Sequence, residues 1–459
     1  MEPLPLPVTT KQETKTNTKT KNNEEETKHA RTTRKNSNKY RKMLLGLGFW
    51  IQGFRCYPWM AVVFFLKDGL RVDPSTMQIL QNSANFPMVA KPVYGLVSDS
   101  FYVNGQHRVP YIAAGAFLQA ISWFAIASLP SSTISFFTIT IYLLLSNLGA
   151  SIVEVANDAV VAECGKEPSN TSDLPSFAWV AGSIGGVLGN LAGGISIERL
   201  SPRTMFLFFG ILLTIQFLIT VSVSEKSLDL PKSSSTHGIK KQLSELLSVL
   251  QKPEIYKPIS WFAASYAIIP ALGGTMFFYQ TQHLKIESSV LGISKVFGQV
   301  AMLLWGFVYN RYLKSIPPRK LISSIQLTMA VLMASDALFV TGFYRTMGIP
   351  DSLYIVIISG VLEVSYFFKI LPFSVLMAKL CPPGCEGSLM AFVMSTIALA
   401  FIVGGYLGVA LASYVEVTDT DFSGLRKGLL IQAVCTVVPI FWSSFIPETP
   451  KVETEKKEE

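Results

Sequence analysis

Apolar runs of about twenty residues recur along most of the 459-residue chain and are separated by short polar breaks. A helix of about 20 apolar residues crosses the ~30 Å hydrocarbon core of a bilayer, and in lipid its backbone groups must bond within the helix itself. The pattern therefore predicts an all-α membrane protein with twelve transmembrane helices. Their approximate limits are 43–66, 76–98, 109–130, 133–157, 176–198, 203–223, 258–282, 288–310, 320–343, 351–378, 386–412 and 426–446.

Polar segments lie at both ends of the chain and in its middle. Residues 1–42 are rich in Thr, Lys and Asn, which predicts a disordered basic tail, and 447–459 predict a second charged tail. The first tail leaves a plastid transit peptide open, although such peptides avoid acids and this tail contains three consecutive glutamates. The segment 224–257 predicts an amphipathic helix that lies flat on the membrane surface and bridges two halves. Its apolar face contains Ile239, Leu243, Leu246, Leu247 and Leu250.

Charge is scarce and unevenly distributed. Only 15% of the residues are charged, against about 25% in soluble domains, and 11 of the 39 Lys and Arg lie in the first 42 residues. Twelve spans place both termini on one side, and the loops of that side hold more Lys and Arg than the opposite loops. The positive-inside rule therefore predicts a multi-pass protein with both termini cytosolic. Composition leaves the plasma membrane and a plastid envelope both open.

Composition also argues against other functions. A nucleic-acid binder needs a basic face on a folded soluble domain, and no such domain is predicted. Five scattered cysteines and four histidines predict neither a disulfide framework nor a metal site. The chain has no nucleophile–base pattern and no nucleotide-binding glycine loop, so we expect no enzymatic activity and no cofactor. The expected partners are a small-molecule substrate, the bilayer and, as an open question, protons. A membrane enzyme or a receptor without transport activity is the less favoured class.

An internal repeat divides the chain into two halves. Two landmarks recur at one offset of 211 residues: Gly95 with Arg108 corresponds to Gly306 with Arg319, and Gly193-Gly194 corresponds to Gly404-Gly405. Parallel repeats of six helices are typical of transporters that hold a substrate between two halves. The repeat therefore predicts two pseudo-symmetric six-helix bundles, 43–223 and 258–446, joined by the linker 224–257.

Several motifs together resemble the folate–biopterin transporter family, a branch of the major facilitator superfamily. They are Gln52-Gly53-Phe54, Lys91-Pro92-x-Tyr94-Gly95-x-x-Ser98-Asp99-Ser100, Asp158-Ala-Val-Val-Ala-Glu163, Tyr309-Asn310-x-x-Leu313-Lys314-x-x-Pro317-x-Arg319-Lys320 and Leu380-Cys381-Pro382-Pro383-Gly384-x-Glu386-Gly387. The resemblance covers about 40–450 and implies secondary active transport of folate or pterin-type organic anions by alternating access, with proton symport left open. Departures from the family pattern at 273–275 and 395–398 support an alternative, a carrier of another aromatic or carboxylated metabolite.

Charged side chains inside the spans are the candidates for substrate binding, because each costs several kcal/mol unless it faces a cavity or a partner. Gln52, Arg55 and Trp59 share one face of the first span, where Arg55 can hold a carboxylate bidentately while Trp59 stacks on a flat ring. A structural ion pair of Arg55 with a neighbouring helix is the alternative. Lys295, where the resemblance implies a basic residue, and Lys369 are further candidates, although Lys295 also suits a lysine that snorkels to the interface.

A polar stripe on the fourth span contains Asn147, Glu154 and Asp158. We interpret Glu154 and Asp158, with Glu363 of the tenth span, as candidates for proton coupling, because a carboxylate whose partner moves binds and releases protons. A salt-bridge cluster is the alternative. Lys369 follows Asp158 by 211 residues, so the repeat predicts that the two face each other across a central cavity, unless this spacing is coincidental.

The segment between the second and third spans resembles the superfamily's cytosolic gate signature. The candidate gate residues are Lys91, Gly95, Asp99, Arg108, Glu163 and Asn310. We expect Gly95 to allow close helix approach. We expect Asp99 to pair with Arg108 and to cap a helix of the other half. Asn310 is the neutral counterpart of Asp99 in the second half.

Overall fold

The computed structural model describes residues 39–130, 135–165, 173–228, 239–380 and 386–448. In these residues the structure is helical apart from its connections and one isolated bridge between Val103 and Gln106. Nine helices of this part of the chain are long and apolar enough to cross a bilayer, which confirms the prediction of an all-α membrane protein. They are Val109–Ser128, Phe136–Glu163, Phe177–Arg199, Pro202–Ser222, Ser288–Leu313, Pro318–Val340, Asp351–Met377, Leu389–Tyr414 and Leu425–Phe445.

Three more predicted spans are helical but interrupted. Proline accounts for the interruptions, because it lacks the N–H that would bond the carbonyl four residues earlier and its ring crowds that carbonyl. The first span is interrupted at Arg55, ahead of Pro58, and the seventh is interrupted around Pro270. The helical pieces are 39–54, Cys56–Phe64 and Phe65–Gly69; Pro74–Ala84, Phe86–Val89 and Lys91–Ser100; and Pro253–Ala267, Gly273–Phe278 and Tyr279–His283.

The predicted amphipathic helix of the central segment is present as Ile239–Leu250. Leu246 and Val249 are buried in one cluster with Ile255 and other residues of the second half, whereas Leu247 is exposed. The described part of its apolar face therefore packs on the second half, and the bridge to the first half stays a prediction. Helical structure already begins by residue 39, inside the predicted first tail, and residues 1–38 and 449–459 of the two tails lie outside the described residues.

The internal repeat extends to the backbone of two matching turns. Residues 70–73 read Leu-Arg-Val-Asp and residues 284–287 read Leu-Lys-Ile-Glu, an offset of 214. Arg71 and Lys285 both have a left-handed φ of 53°. In each turn the residue before the acid donates its N–H to a carbonyl six residues earlier at 3.0 Å, Val72 to Leu66 and Ile286 to Gln280. The two halves thus share a turn that the sequence analysis did not identify.

Successive helices run back and forth, so their connections lie at two ends of the molecule. We call the end that holds the turns 70–73 and 284–287 end A, and the end that holds the connections 100–109 and 313–318 end B.

The two halves approach each other closely near end A. A Cβ on Gly292 would lie 2.8 Å from the Cα of Gly194, so only glycine permits this crossing. Beside it, Glu198 accepts hydrogen bonds from the Ser289 N–H at 2.9 Å and the Ser288 Oγ at 3.1 Å. Each contact joins the helix of Gly194 in the first half to the helix of Gly292 in the second. End A is therefore closed.

Candidate functional site

Glu154 is the centre of a charged cluster in the first half of the chain. Its Oε1 accepts a hydrogen bond from Arg55 Nη1 at 2.9 Å, and its Oε2 lies 2.5 Å from Lys91 Nζ. Arg55 also donates through Nη2 to Asn147 Oδ1 at 2.7 Å. The side chains of Arg55, Lys91 and Glu154 are 16%, 24% and 10% exposed, so the cluster is partly open to solvent. Arg55 therefore forms the ion pair that the sequence analysis held as the alternative to substrate contact.

Helix spacing and helix interruptions bring these groups together. Asn147 and Glu154 are seven residues apart, which is about two turns along one helix face. Asn147 Nδ2 donates at 2.7 Å to the carbonyl of Ala84, at the end of the helix Pro74–Ala84. A helix end leaves such carbonyls without an intrahelical partner. Lys91 begins the last piece of the same interrupted span, and Arg55 lies at the interruption of the first span. Both basic groups thus project from breaks in helices.

A small pocket, with room for about one water molecule, lies against the Arg55–Glu154 pair. Gln52, Gln119 and Gln216 line it, and Gln52 also hydrogen-bonds Glu154. Gln119 and Gln216 are buried, and the Oε1 atoms of Gln52 and Gln216 have no hydrogen-bond partner among the described residues. All of the lining residues belong to the first half. The pocket is therefore built from one half alone.

The aromatic neighbours of Arg55 have different surroundings. Phe54 is buried, with its ring stacked on Trp50 at 5.0 Å and on Tyr57 at 5.1 Å. Trp59 packs on the same core but is only partly buried. Trp59 thus keeps an exposed surface on which a flat ring could stack.

Lys295 and Glu363 form an ion pair that joins two helices of the second half. Lys295 Nζ lies 2.6 Å from Glu363 Oε1, and the side chains are 37% and 55% exposed. Across from them, in the first half, the Cys56 thiol lies within electrostatic reach of both charges and hydrogen-bonds Asn190. The pair therefore faces a solvent-accessible space between the halves, which we call the central chamber. The sequence analysis assigned Lys295 and Glu363 separate roles and did not predict that they pair.

Lys369 does not face Asp158, which corrects the prediction from the repeat. Its side chain is 0% exposed inside the second half, and its Nζ donates to Gln326 Oε1 at 2.6 Å and to Ser265 Oγ at 3.0 Å. The same nitrogen lies 3.8 Å from the centre of the Tyr266 ring. The physical reason is rotation of its helix, which turns Lys369 into the packed interior of the second half. Lys369 therefore does not line the central chamber.

Asp158 is exposed and lies one turn beyond Glu154 on the same helix. It interacts electrostatically with Glu154 and Lys91. In the part of the chain that the structure describes, six charged groups lie around the central chamber and in the Glu154 cluster. Asp158 is one of them, and three are bases and three are acids. They are Arg55, Lys91, Lys295, Glu154, Asp158 and Glu363.

Arg108 organises the predicted gate at end B. Its guanidinium donates to Asp99, to Ser98 Oγ at 2.6 Å and to Glu163 Oε1 at 2.5 Å. These residues belong to three neighbouring helices of the first half. The expected pair of Asp99 and Arg108 is thus present. Among the described residues, the partner of Asp99 is Arg108 of its own half. The expected cap of a helix of the other half stays a prediction.

The structure also describes the three other gate candidates, Lys91, Gly95 and Asn310. Lys91 bonds Glu154, about two turns before Asp99, because its side chain points to the helix of Glu154. A Cβ on Gly95 would meet Val155 Cγ1 at 3.6 Å, an ordinary contact, so close helix approach does not explain this glycine. Asn310 is exposed, and Arg319, the counterpart of Arg108, pairs with Glu448 at 3.1 Å.

Glu225 anchors the same corner and was missed by the sequence analysis. Its carboxylate accepts hydrogen bonds from the backbone N–H groups of His107, Arg108 and Val109, at the beginning of the helix Val109–Ser128. An acid at a helix N-terminus binds orphan N–H groups and the positive end of the helix dipole. Burial opposes ionisation of Glu225, but its bonds to His107 and these N–H groups outweigh burial and lower its pKa to about 2. Sequence offered little signal, because Glu225 caps a helix 116 residues away.

His107 lies between two carboxylates in this corner. The neighbouring carboxylates of Glu163 and then Glu225, against the opposing effect of burial, raise the pKa of His107 from 6.5 to about 9. Its ring nitrogens lie 3.6 Å from Glu163 and 3.3 Å from Glu225. The protonated His107 ring therefore links the helix of Glu163 to Glu225, which lies after the sixth predicted span.

We expect this corner to lose stability at alkaline pH. Because the folded pKa of His107 is the higher one, its contribution is complete below pH 6.5 and is lost as pH rises through about 9. The lowered pKa of Glu225 gives a contribution that is lost only as pH falls below about 4. Wild-type protein in detergent should lose about 2 kcal/mol between pH 6.5 and 9, measured by tryptophan-fluorescence melting. His107→Gln should flatten this decline, and an equal decline in the variant would contradict the assignment.

Gln78 joins the halves at end A and was also missed. Its Nε2 donates to the carbonyls of Ala271 and Gly405, each at 2.6 Å, and its Oε1 accepts from the Gly274 N–H at 3.0 Å. The Ala271 carbonyl is available because the seventh span is interrupted at Pro270. The side chain is buried between the helix Pro74–Ala84 and two helices of the second half. A neutral glutamine in a mixed apolar helix carries no sequence signal for this role.

Comparison with known proteins gives one family. The model of the BT1 family matches residues 52–459. The chain is 59% identical to probable folate-biopterin transporter 7 of Arabidopsis thaliana, over 94% of this chain and 97% of the relative. It is 41% identical to probable folate-biopterin transporter 9, chloroplastic, of the same plant, over 88% of this chain and 77% of the relative. Among solved structures, the nucleoside transporter NupG matches with a TM-score of 0.66 and 18% identity, over 90% of this chain and 100% of that chain. At this identity the match supports only the fold, which is the major facilitator fold.

Proposed function

The chain belongs to the BT1 family, the family of folate–biopterin transporters, and from this we propose that it carries folate or pterin-type organic anions across a membrane by alternating access. Membership in a family of transporters agrees with the expectation that the chain is not an enzyme. Substrate type, coupling ion and mechanism are the proposed part. They rest on the residues described above.

The observation that carries the proposal is the presence of partly exposed basic groups at the depth of the membrane. Arg55 and Lys91 retain solvent access beside Glu154, and Lys295 faces the central chamber. Cations are costly inside a bilayer and are kept where they line a substrate path or bind a partner. A carboxylate of a folate suits such cations, and the exposed part of Trp59 suits a flat pterin ring.

We infer that the architecture consists of twelve membrane-spanning helices in two six-helix bundles, 43–223 and 258–446. The three interrupted spans would complete the nine continuous helices, and the matching turns at 70–73 and 284–287 support two related halves. The loops on the side of end B hold more Lys and Arg than the opposite loops, which favours a cytosolic position for end B and for both termini. The membrane is a plasma membrane or a plastid envelope, since one of the relatives described above is named chloroplastic.

The conformation described here is one state of the proposed transport cycle. End A is closed by the Gly194–Gly292 crossing and by Gln78. Lys295 and Glu363 are nevertheless solvent-exposed, so we infer that the central chamber opens toward end B. The Asp99–Arg108–Glu163 group at end B holds helices of one half together, and is ready to act as a gate when end B closes.

Uptake of labelled folic acid by proteoliposomes that contain the full chain tests the proposal. We expect Arg55→Ala to reduce uptake at least about tenfold, because the loss of one charge-assisted contact costs about 1.5–3 kcal/mol. Arg319→Ala is the matched control, since its pair with Glu448 lies on the surface. A thermal-shift screen with folic acid, biopterin and other aromatic carboxylates separates the pterin proposal from the alternative carrier. If no pterin or folate stabilises the protein or enters the vesicles, the substrate assignment is wrong.

A further inference from the structure

Solvent reaches the Lys295–Glu363 ion pair. Its side chains are 37% and 55% exposed, although the pair lies at the depth of the membrane between the two halves. An ion pair that water reaches contributes only about 0–1 kcal/mol. Either partner can therefore be replaced at little cost by a ligand group of the same charge.

An anionic ligand in the chamber competes directly with Glu363. The ligand carboxylate and the Glu363 carboxylate both require the single ammonium group of Lys295. If both stayed ionised beside it, one negative charge would be uncompensated, which disfavours the ionised form of the weaker competitor. When the ligand occupies Lys295, Glu363 loses its cation and gains a nearby anion, and both changes favour its protonated form.

We propose that Lys295 and Glu363 form a partner-exchange site, which rests on the proposed transport of organic anions. The ligand carboxylate replaces Glu363 on Lys295, and Glu363 takes one proton from the solution in the same step. The only covalent change is a new O–H bond on Glu363, so one negative charge enters with one positive charge. By linkage, protons strengthen anion binding, and the anion strengthens proton binding by the same factor.

Among the described residues around the pair, Glu363 is the acid that binds Lys295. From the first half, Cys56 is the titratable group near the pair, and Asn190 beside it is uncharged. Three other charged groups among the described residues of the neighbouring helices have partners of their own: Arg55 binds Glu154, Asp336 accepts from Tyr354 at 3.0 Å, and Lys369 binds Ser265 and Gln326.

Binding of two probes to the full chain in detergent tests the exchange. Folic acid carries carboxylates and biopterin carries none, so only folic acid should compete with Glu363. We expect the Kd of wild-type protein for folic acid to weaken up to tenfold per pH unit between pH 6 and 8, with one proton taken up per ligand. In Glu363→Gln the Kd should be independent of pH, about tenfold tighter at pH 7.5, with no proton uptake. Biopterin should bind independently of pH to both proteins.

Controls separate failure of the exchange from failure of the proposed function. Glu416→Gln, at an exposed acid after Tyr414, should behave as wild type. Lys295→Met should lose its preference for folic acid over biopterin about tenfold while biopterin binding persists. If folic acid binds wild type and Glu363→Gln with the same pH dependence, the exchange is refuted and the transport proposal stands. If neither probe binds the wild-type protein, the assignment of folate and pterin ligands fails, and the exchange fails with it.

Discussion

Glu154→Leu is expected to lower the free energy of unfolding by about 3–5 kcal/mol, because it leaves two cations without their shared carboxylate. Arg55 would keep one bond, to Asn147, and Lys91 would lose its ion pair. Both side chains are mostly buried in a bilayer-spanning region, so water compensates only part of the loss. Melting of purified protein, followed by tryptophan fluorescence, measures the change, and uptake should be lost with it.

Two variants of the same helix serve as controls for this prediction. Ser151→Ala removes a hydroxyl that bonds Asn147 O at 2.8 Å, one turn before Glu154, and changes no charge. Glu154→Gln retains the volume and one acceptor oxygen, so its loss should lie between those of Ser151→Ala and Glu154→Leu. An equal melting temperature for Glu154→Leu and Ser151→Ala would show that Glu154 does not hold the two cations together.

Gln78→Leu is expected to shift the protein toward a conformation that is open at end A. In the closed form, leucine would leave the carbonyl of Ala271 and the N–H of Gly274 unpaired, whereas the carbonyl of Gly405 keeps its bond within its own helix. Each buried unpaired group costs about 1–3 kcal/mol, so the closed form loses about 2 kcal/mol or more. That corresponds to roughly a 30-fold change in the equilibrium between conformations.

Cross-linking of a second contact at end A measures this shift without altering the helix of Gln78. In a background without native cysteines, Glu198→Cys and Ser289→Cys place two thiols where a side chain and a backbone N–H now meet at 2.9 Å. Disulfide formation should be fast with Gln78 and at least tenfold slower with Gln78→Leu. Gln81→Leu, the same change one turn further along the helix, is the control. Unchanged cross-linking in Gln78→Leu would mean that the glycine crossing alone closes end A.

The sequence located the charged groups well because a charge in an apolar run stands out. Arg55, Glu154 and Lys295 were all identified in this way, and each lies in a charged cluster. Their partners were harder to predict, because the partner depends on the rotation of each helix and on helix interruptions. Lys91 was assigned to the gate, yet it bonds Glu154 from the beginning of a helix piece that the apolar pattern did not resolve.

The misplacement of Lys369 has a geometric cause. The two halves are offset by 211 residues at Gly95 and Gly306 but by 214 at Arg71 and Lys285. A difference of three residues turns a side chain by about 300° around a helix, so an offset from one pair of spans does not transfer to another. Gln78 and Glu225 were missed for a different reason. Their partners are backbone groups, most of them freed at helix breaks and helix ends, which no residue pattern identifies.

The balance of the six charged groups has an electrical consequence. With all six groups ionised, three bases and three acids sum to zero when the binding space is empty, counted over the residues that the structure describes. Moving one elementary charge through 100 mV takes about 2.3 kcal/mol. An empty carrier with no net charge can return across the bilayer without this work. Voltage would then act on the loaded step alone, in proportion to the charge of the cargo after any protons have joined it.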